Sequence, residues 1–83
     1  MKTGTVVGAV WATKKTAGLT GQTLLTVKTD TGTIIAADCV GAGEGDRVLL
    51  TLGSAARAGR TELPIDAAVV GILDMQEEND DSQ

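Results

Sequence analysis

Hydrophobic and polar residues alternate in several short stretches of this chain, a pattern typical of β-strands whose two faces have different surroundings. In the first stretch, residues 2–13, Val6 and Val10 fall on one face. Gly4 and Gly8 lie on that same face. Glycines inside a strand are typical of a bend or a close backbone approach, as at the corner of a small barrel.

The same pattern predicts four further strands, at residues 23–29, 33–38, 47–52 and 67–74. The first two form a hairpin around Asp30-Thr31-Gly32, in which Gly32 suits a left-handed turn position. The last strand is apolar almost throughout, which predicts burial on both faces. Residues 14–21 are expected to form a loop.

Two connections break the strand pattern. Residues 40–46 (Val-Gly-Ala-Gly-Glu-Gly-Asp) form a glycine-rich loop, and residues 53–57 suit one helical turn with Ser54 as its N-cap. Five short strands, with a helical turn between the fourth and the fifth, predict an all-β fold: a small barrel of the OB type, closed or partly open.

Composition makes this barrel a small one with a weak core. The chain has 83 residues, enough for one domain, and Trp11 is its only aromatic residue. A chain of this size buries about 60–65% of its unfolded surface. Its core must come from aliphatic side chains, which bury less area than aromatic rings. Partner subunits are therefore expected.

The absence of histidine and the single cysteine exclude several kinds of chemistry. No Ser-His-Asp or Cys-His pair, His-ligated metal or Cys-rich zinc site can form, so no enzyme and no cofactor is expected. Cys39 follows Asp38, whose carboxylate opposes thiolate formation, and a buried, inert cysteine is predicted. Trp11 is predicted to lie in the core or in a subunit interface rather than to stack on a base or sugar.

Charge divides the chain into a nearly neutral body and an acidic end. The last ten residues hold five acids and no base, so residues 1–73 carry +1 and the end carries −5, which gives the net −4. Residues 75–83 are expected to be a solvated, disordered tail. The body lacks the basic face of a nucleic-acid binder. With no apolar run of about 20 residues and no signal peptide, neither membrane nor secretion is expected, and a cytosolic protein is predicted.

The glycine-rich loop does not have the pattern of a phosphate site. Its glycines, Gly41, Gly43 and Gly45, do not match a dinucleotide fingerprint, and no Lys-Ser/Thr follows them. A tight loop that uses glycines for positive φ is favoured. For Arg57, pairing with Asp66 or a neighbouring subunit and simple solvation are equally open.

Five segments occur together in an order that resembles a known family: Gly4–Val10, Leu19–Leu25, Ala37–Asp46, Gly53–Arg57 and Pro64–Asp74. The combination of the Gly-Ala-Gly loop, the Gly-Ser-Ala-Ala-Arg turn and the Pro-Ile-Asp-Ala-Ala strand in so short a chain looks like the EutN/CcmL family of bacterial microcompartment vertex proteins. The resemblance covers residues 1–74. Residues 75–83 match no pattern of that family and are expected to be dispensable for assembly.

The resemblance implies an OB-like barrel that assembles as a homopentamer. In this family, pentamers occupy the vertices of a polyhedral shell in the bacterial cytoplasm, and hexameric shell proteins of another fold tile its facets. The role is architectural, because a pentamer supplies the curvature that a flat hexagonal sheet lacks. No catalytic role is implied.

The resemblance and the density of small residues together predict which residues lie at the fivefold axis or a subunit interface. They are Gly41, Ala42, Gly43, Glu44, Gly45, Ser54, Ala55 and Arg57. The alternative is a stand-alone OB-type module that binds single-stranded nucleic acid or a small ligand. That alternative predicts a basic face that carries aromatic residues.

Overall fold

The structure is a computed structural model that describes residues 1–11, 17–19, 21–53, 56 and 65–74. Over these residues the chain forms five strands and a short 3-10 helix. They are β1 (Lys2–Val10), the 3-10 helix (Ala17–Leu19), β2 (Leu24–Thr29), β3 (Gly32–Asp38), β4 (Arg47–Leu52) and β5 (Ala67–Ile72). All five predicted strands are confirmed. The 3-10 helix lies inside the segment that was predicted to be a loop.

The five strands close into a barrel in the order β1-β2-β3-β5-β4. β1 makes this closure possible because it is long enough to pair with two strands. Its first half pairs with β4, from Lys2 to Thr5, and its second half pairs with β2, from Thr5 to Val10. The β3–β5 pairing is parallel, and the other pairings are antiparallel. The predicted all-β barrel is confirmed in its closed form.

The core is aliphatic, as the composition predicts. Its largest fully buried side chains are Leu50, Val6, Val27, Val48 and Val69. They come from four of the five strands, and Ala36 of β3 completes the ring of inward-facing residues. A core of this kind excludes water but buries little area per residue.

Gly4 lies where β1 packs closely against β2. A Cβ atom built at Gly4 would be 2.6 Å from Val27 Cγ1 and 2.8 Å from the carbonyl oxygen of Lys28. Further along, the register of β1 and β2 shifts between Val6 and Gly8, which leaves Val7 as an extra, bulged residue. The prediction that the glycines of β1 mark a bend or a close backbone approach is confirmed at Gly4 by a close approach, and Gly8 follows the irregularity in register.

The β2–β3 hairpin turns at Asp30 and Thr31. Gly32 follows with φ of 140° and pairs with Thr29. The Thr29 hydroxyl donates to the carbonyl of Gly32 at 2.7 Å, which ties the two strands together at the turn. The predicted position of Gly32 at positive φ is confirmed.

The prediction that β5 is buried on both faces is wrong for its second half. Ala67, Ala68 and Val69 are buried, whereas Val70 and Ile72 are exposed. Val70 and Ile72 alternate along the strand with Val69 and Gly71, so they point to the outside of the barrel. Their apolar side chains are exposed there in the single chain.

Within the described part of the chain, no helix is long and apolar enough to cross a membrane. The predicted helical turn at residues 53–57 falls mostly outside the described residues, which here include Gly53 and Ala56.

Candidate subunit-interface surfaces

The loop of residues 40–46, called the glycine loop below, is held at its start by the carboxylate of Asp38. One oxygen, Oδ1, accepts hydrogen bonds from the backbone N–H groups of Val40 and Gly41, each at 3.1 Å. The other oxygen, Oδ2, accepts from the N–H of Ala42 at 3.0 Å. A carboxylate with three backbone donors fixes the path of the chain as it leaves β3.

The carboxylate of Asp46 closes the other end of the glycine loop. Its Oδ2 accepts from the N–H of Gly43 at 2.9 Å, and its own N–H donates to the Gly43 carbonyl at 3.0 Å. Two further backbone bonds join the loop to β1, because Gly45 N–H donates to the Val6 carbonyl and Val6 N–H donates to the Asp46 carbonyl. These hydrogen bonds therefore anchor the glycine loop to the barrel.

The structure places the five predicted interface residues of this loop in two environments. Gly41, Gly43, Glu44 and Gly45 are exposed, whereas Ala42 is half-buried and packs against the core. Gly41 and Gly45 have φ of 79° and 92°, which bears out the prediction of a tight loop that uses glycines for positive φ. Gly43 does not have positive φ, and a Cβ atom there would meet nothing within 4 Å. Its lack of a side chain is not required by the fold of the single chain.

The prediction that Cys39 is buried is wrong, because its side chain is exposed. β3 ends at Asp38, and Cys39 is the first residue of the turn that Asp38 organises. Its backbone N–H still donates to the Val69 carbonyl at 3.1 Å, which extends the contact between β3 and β5. Cys39 thus contributes a backbone hydrogen bond to the barrel, whereas its thiol lies at the surface.

The other predicted interface residues, Ser54, Ala55 and Arg57, lie outside the described residues. Next to them, the N–H of Gly53 donates to the carbonyl of Asp66 at 2.7 Å, which joins the end of β4 to the approach of β5. A shallow groove opens here, lined by Ile34, Ile35, Leu52, Gly53, Asp66 and Ala67. Most of its side chains are apolar.

Among the residues that the structure describes, several large apolar side chains are exposed, and Trp11 is the most exposed of them at 90%. Trp11 was predicted to lie in the core or in a subunit interface. Its exposure excludes the core and leaves the subunit interface. The others are Met1, Val7, Ile35, Val40, Leu52, Val70 and Ile72. Val40 starts the glycine loop two residues after β3 ends, and Leu52 ends β4. Exposed apolar side chains therefore lie at the start of the glycine loop and at the end of β4.

Two acidic side chains of the described residues are occupied by hydrogen bonds within the fold. The carboxylates of Asp38 and Asp46 accept backbone hydrogen bonds, and no group of three or more His, Cys, Asp or Glu residues is close enough there to hold a metal ion. Every buried side-chain nitrogen and oxygen atom in this part of the chain has a hydrogen-bond partner.

Comparison with known proteins decides what kind of barrel this is. The family model described as ethanolamine utilisation protein EutN/carboxysome matches residues 1–74. The chain belongs to the EutN/CcmL family. A relative in Rhodospirillum rubrum, the bacterial microcompartment shell vertex protein GrpN, is 42% identical over 86 residues, which cover 93% of this chain and 97% of the relative. The carboxysome shell vertex protein CcmL of a Synechocystis species is 45% identical over 89% of this chain and 83% of its own length.

Solved structures of EutN/CcmL proteins have the same barrel. The GrpN pentameric microcompartment shell protein from Rhodospirillum rubrum has a TM-score of 0.80 at 42% identity, over 89% of this chain and 94% of that one. The pentameric shell protein of the RMM microcompartment has a TM-score of 0.81 at 38% identity, over 92% and 93% of the two chains. Both relatives are described as pentameric. Contacts between subunits of such a pentamer would account for apolar side chains that are exposed in a single chain.

Proposed function

We propose that five copies of this chain close into a ring that caps a vertex of a bacterial microcompartment shell. The observation that carries the proposal is the near full-length similarity to pentameric shell proteins and shell vertex proteins. The exposed apolar side chains of the single barrel support it independently, because such surface on a small soluble domain marks a place where another protein packs.

A head-to-tail ring uses two different surfaces of each subunit, and repeated rotation closes it. Two such surfaces are provided by exposed apolar residues, Val40 at the start of the glycine loop and Leu52 beside the shallow groove. Each Å² of apolar area that is buried against a neighbouring subunit contributes about 25 cal/mol of stability. This contribution adds to that of a core without aromatic residues. The barrel of residues 1–74 is the assembling unit.

The glycine loop is the best candidate for the part of the subunit that faces the fivefold axis or a neighbour. Four of its predicted interface residues are exposed, and the carboxylates of Asp38 and Asp46 hold the loop in one conformation. A fixed loop of small residues allows a close approach between identical chains at little entropic cost. The turn that contains Ser54, Ala55 and Arg57 is proposed for the same region on the resemblance alone.

The remaining parts of the proposal follow from the family. The ring is a structural component without catalytic activity and lies in the bacterial cytoplasm. Its outer edge meets hexameric shell proteins, and its fivefold symmetry supplies curvature where their flat sheets join. No nucleic acid or membrane takes part.

A bulky substitution at Gly43 tests the assignment of the glycine loop. Gly43 has open space around it in the single chain and no positive φ, so Gly43→Trp leaves the barrel fold intact. We expect this variant to fold but to form few or no pentamers, because the indole occupies space that a neighbouring subunit needs. The matched control is Gly43→Ala, which adds one methyl group and should assemble.

The measurement is sedimentation velocity together with circular dichroism. Gly43→Trp should sediment mainly as a folded monomer, and Gly43→Ala should sediment as the unmutated ring does. A Gly43→Trp variant that assembles as readily as the control would remove the glycine loop from the interface. The vertex role itself would then stand on the other surfaces.

A further inference from the structure

A groove with a basic lining crosses the outer face of β4, β1 and β2. Of the residues that the structure describes, three carry a cationic side chain, and all three line this groove: Lys2, Lys28 and Arg47. One acid, Asp30, lies in the same groove and is 3.5 Å from Lys2 Nζ. The cationic side chains of the described residues are thus concentrated on one surface, which is called the basic groove below.

Two of the three cations lie in one row across the strands. Thr5 of β1 is in register with Arg47 on one side and with Lys28 on the other. Residues in register on neighbouring strands point to the same face, so Arg47, Thr5 and Lys28 line up on the outside of the barrel. Arg47 donates to the Thr5 hydroxyl at 3.2 Å, and neither Arg47 nor Lys28 contacts a carboxylate among the described residues.

The C-terminal segment starts beside this row. Leu73 N–H donates to the Arg47 carbonyl at 2.8 Å, and the residues that follow include Glu77, Glu78, Asp80 and Asp81 with no base among them. We propose that this acidic segment of the same chain binds the basic groove, with Glu77 and Glu78 near Lys28 and Arg47.

The reach of the chain fits this pairing. From Leu73, beside β4, to Lys28 on β2, the path crosses three inter-strand spacings of about 4.8 Å each, which is about 14 Å. An extended chain covers about 3.3 Å per residue, so the fourth and fifth residues after Leu73 arrive at Lys28. These residues are Glu77 and Glu78. The negative charge of Glu77 and Glu78 and their distance along the chain from Leu73 thus both fit a contact with Lys28.

The contact is exposed, so it is expected to be weak and sensitive to salt. Pairs of this kind are screened when the Debye length falls from about 14 Å at 0.05 M to about 3 Å at 1 M salt. The segment can therefore bind the groove at low salt and still be dispensable for assembly of the ring. The proposal does not depend on the vertex role, because both partners belong to one chain.

Carbodiimide cross-linking of the full chain, followed by proteolysis and mass spectrometry, tests the pairing. This reagent joins a lysine amine to a carboxylate only when the two are in contact, so a link between Lys28 and Glu77 or Glu78 is expected at about 0.05 M salt and not at about 1 M. The link between Lys2 and Asp30 serves as the internal standard, since their charged atoms are 3.5 Å apart.

Two substitutions that leave the linked atoms in place are expected to act in opposite directions. Arg47→Gln removes one cation beside the path and should lower the yield of the Lys28 link about twofold. Asp30→Asn removes the competing acid of the groove, and with it the Lys2–Asp30 standard, so its Lys28 link is referred to the unlinked Lys28 peptide; that yield should rise by a similar factor. The amide resonances of Thr5 and Lys28 provide a second measurement, because they should differ between the full chain and a chain that ends at Asp74.

Three outcomes would overturn the proposal. The first is the absence of any link from Lys28 to the segment while the Lys2–Asp30 link forms. The second is a yield that neither substitution nor salt changes. The third comes from rings reconstituted with equal parts of ¹⁴N and ¹⁵N chains: links within one chain are never of mixed mass, so if about half of the links join a ¹⁴N peptide to a ¹⁵N peptide, the segment binds a neighbouring subunit and not its own barrel.

Discussion

A methyl group at Gly4 should destabilise the barrel although it adds apolar surface. In Gly4→Ala the new Cβ atom would be 2.6 Å from Val27 Cγ1 and 2.8 Å from the Lys28 carbonyl oxygen. Val27 is fully buried and β-branched, so its side chain cannot turn aside, and the carbonyl belongs to the backbone of β2. β1 and β2 must therefore separate at the point where the barrel closes.

Overpacking of this kind costs about 1–3 kcal/mol, and a clash with backbone places Gly4→Ala at the upper end, about 2–3 kcal/mol. For a domain of this size each kcal/mol lowers the midpoint of thermal unfolding by about 4–8 °C. The matched control is Gly8→Ala in the same strand, where a Cβ atom meets nothing within 4 Å and φ is not positive. It should change the unfolding free energy by at most about 1 kcal/mol, because alanine also restricts the unfolded chain.

Both variants are compared by calorimetry and urea unfolding at one protein concentration, since the stability of an oligomer depends on concentration. We expect a midpoint at least about 4 °C lower for Gly4→Ala than for Gly8→Ala. Equal midpoints would refute the claim that close packing of β1 on β2 requires a glycine at this position.

Two further predictions concern the loop and the interface. Asp38→Ala removes the acceptor of three backbone N–H groups, so it should cost about 1–2 kcal/mol and speed amide exchange at residues 40–42, whereas the exposed Glu44→Ala should change little. Unchanged exchange in Asp38→Ala would contradict the role given to that carboxylate. Trp11, the only aromatic residue, should emit at shorter wavelength in the assembled ring than in dissociated chains, and identical spectra would exclude it from the interface.

The strands could be predicted because their cause is local. The alternation around Val6, Val27 and Val48 follows from the pleat, which sends successive side chains to opposite faces, and Gly4 and Gly32 are required by close packing and by backbone conformation at their own positions. The sequence did not predict whether the barrel is closed or partly open, because closure depends on the pairing of β1 with both β2 and β4.

The burial predictions failed where apolar character alone does not show what covers a side chain. β5 is apolar on both faces, but Val70 and Ile72 point to the outside of the barrel, and Cys39 is exposed because it lies in the turn that follows β3. The roles of Asp38 and Asp46 were also missed. A sequence signal for them exists, since an aspartate before a glycine-rich stretch favours hydrogen bonds from its carboxylate to the following backbone N–H groups.

The candidate interface could be predicted only in part. The glycine loop was identified by its composition and by the family resemblance, and its exposure in the single chain agrees with that assignment. Sequence alone did not separate Ala42, which packs against the core, from the exposed glycines around it. The distinction depends on how Asp38 directs the loop back onto the barrel.

Native mass spectrometry of the purified chain at near-physiological ionic strength tests the central claim most directly. The account predicts a dominant species of about 42 kDa, five times the 8.4 kDa of one chain. A stable, cooperatively folded monomer of 8.4 kDa as the dominant species would contradict it, because the exposed apolar side chains would then need no neighbouring subunit.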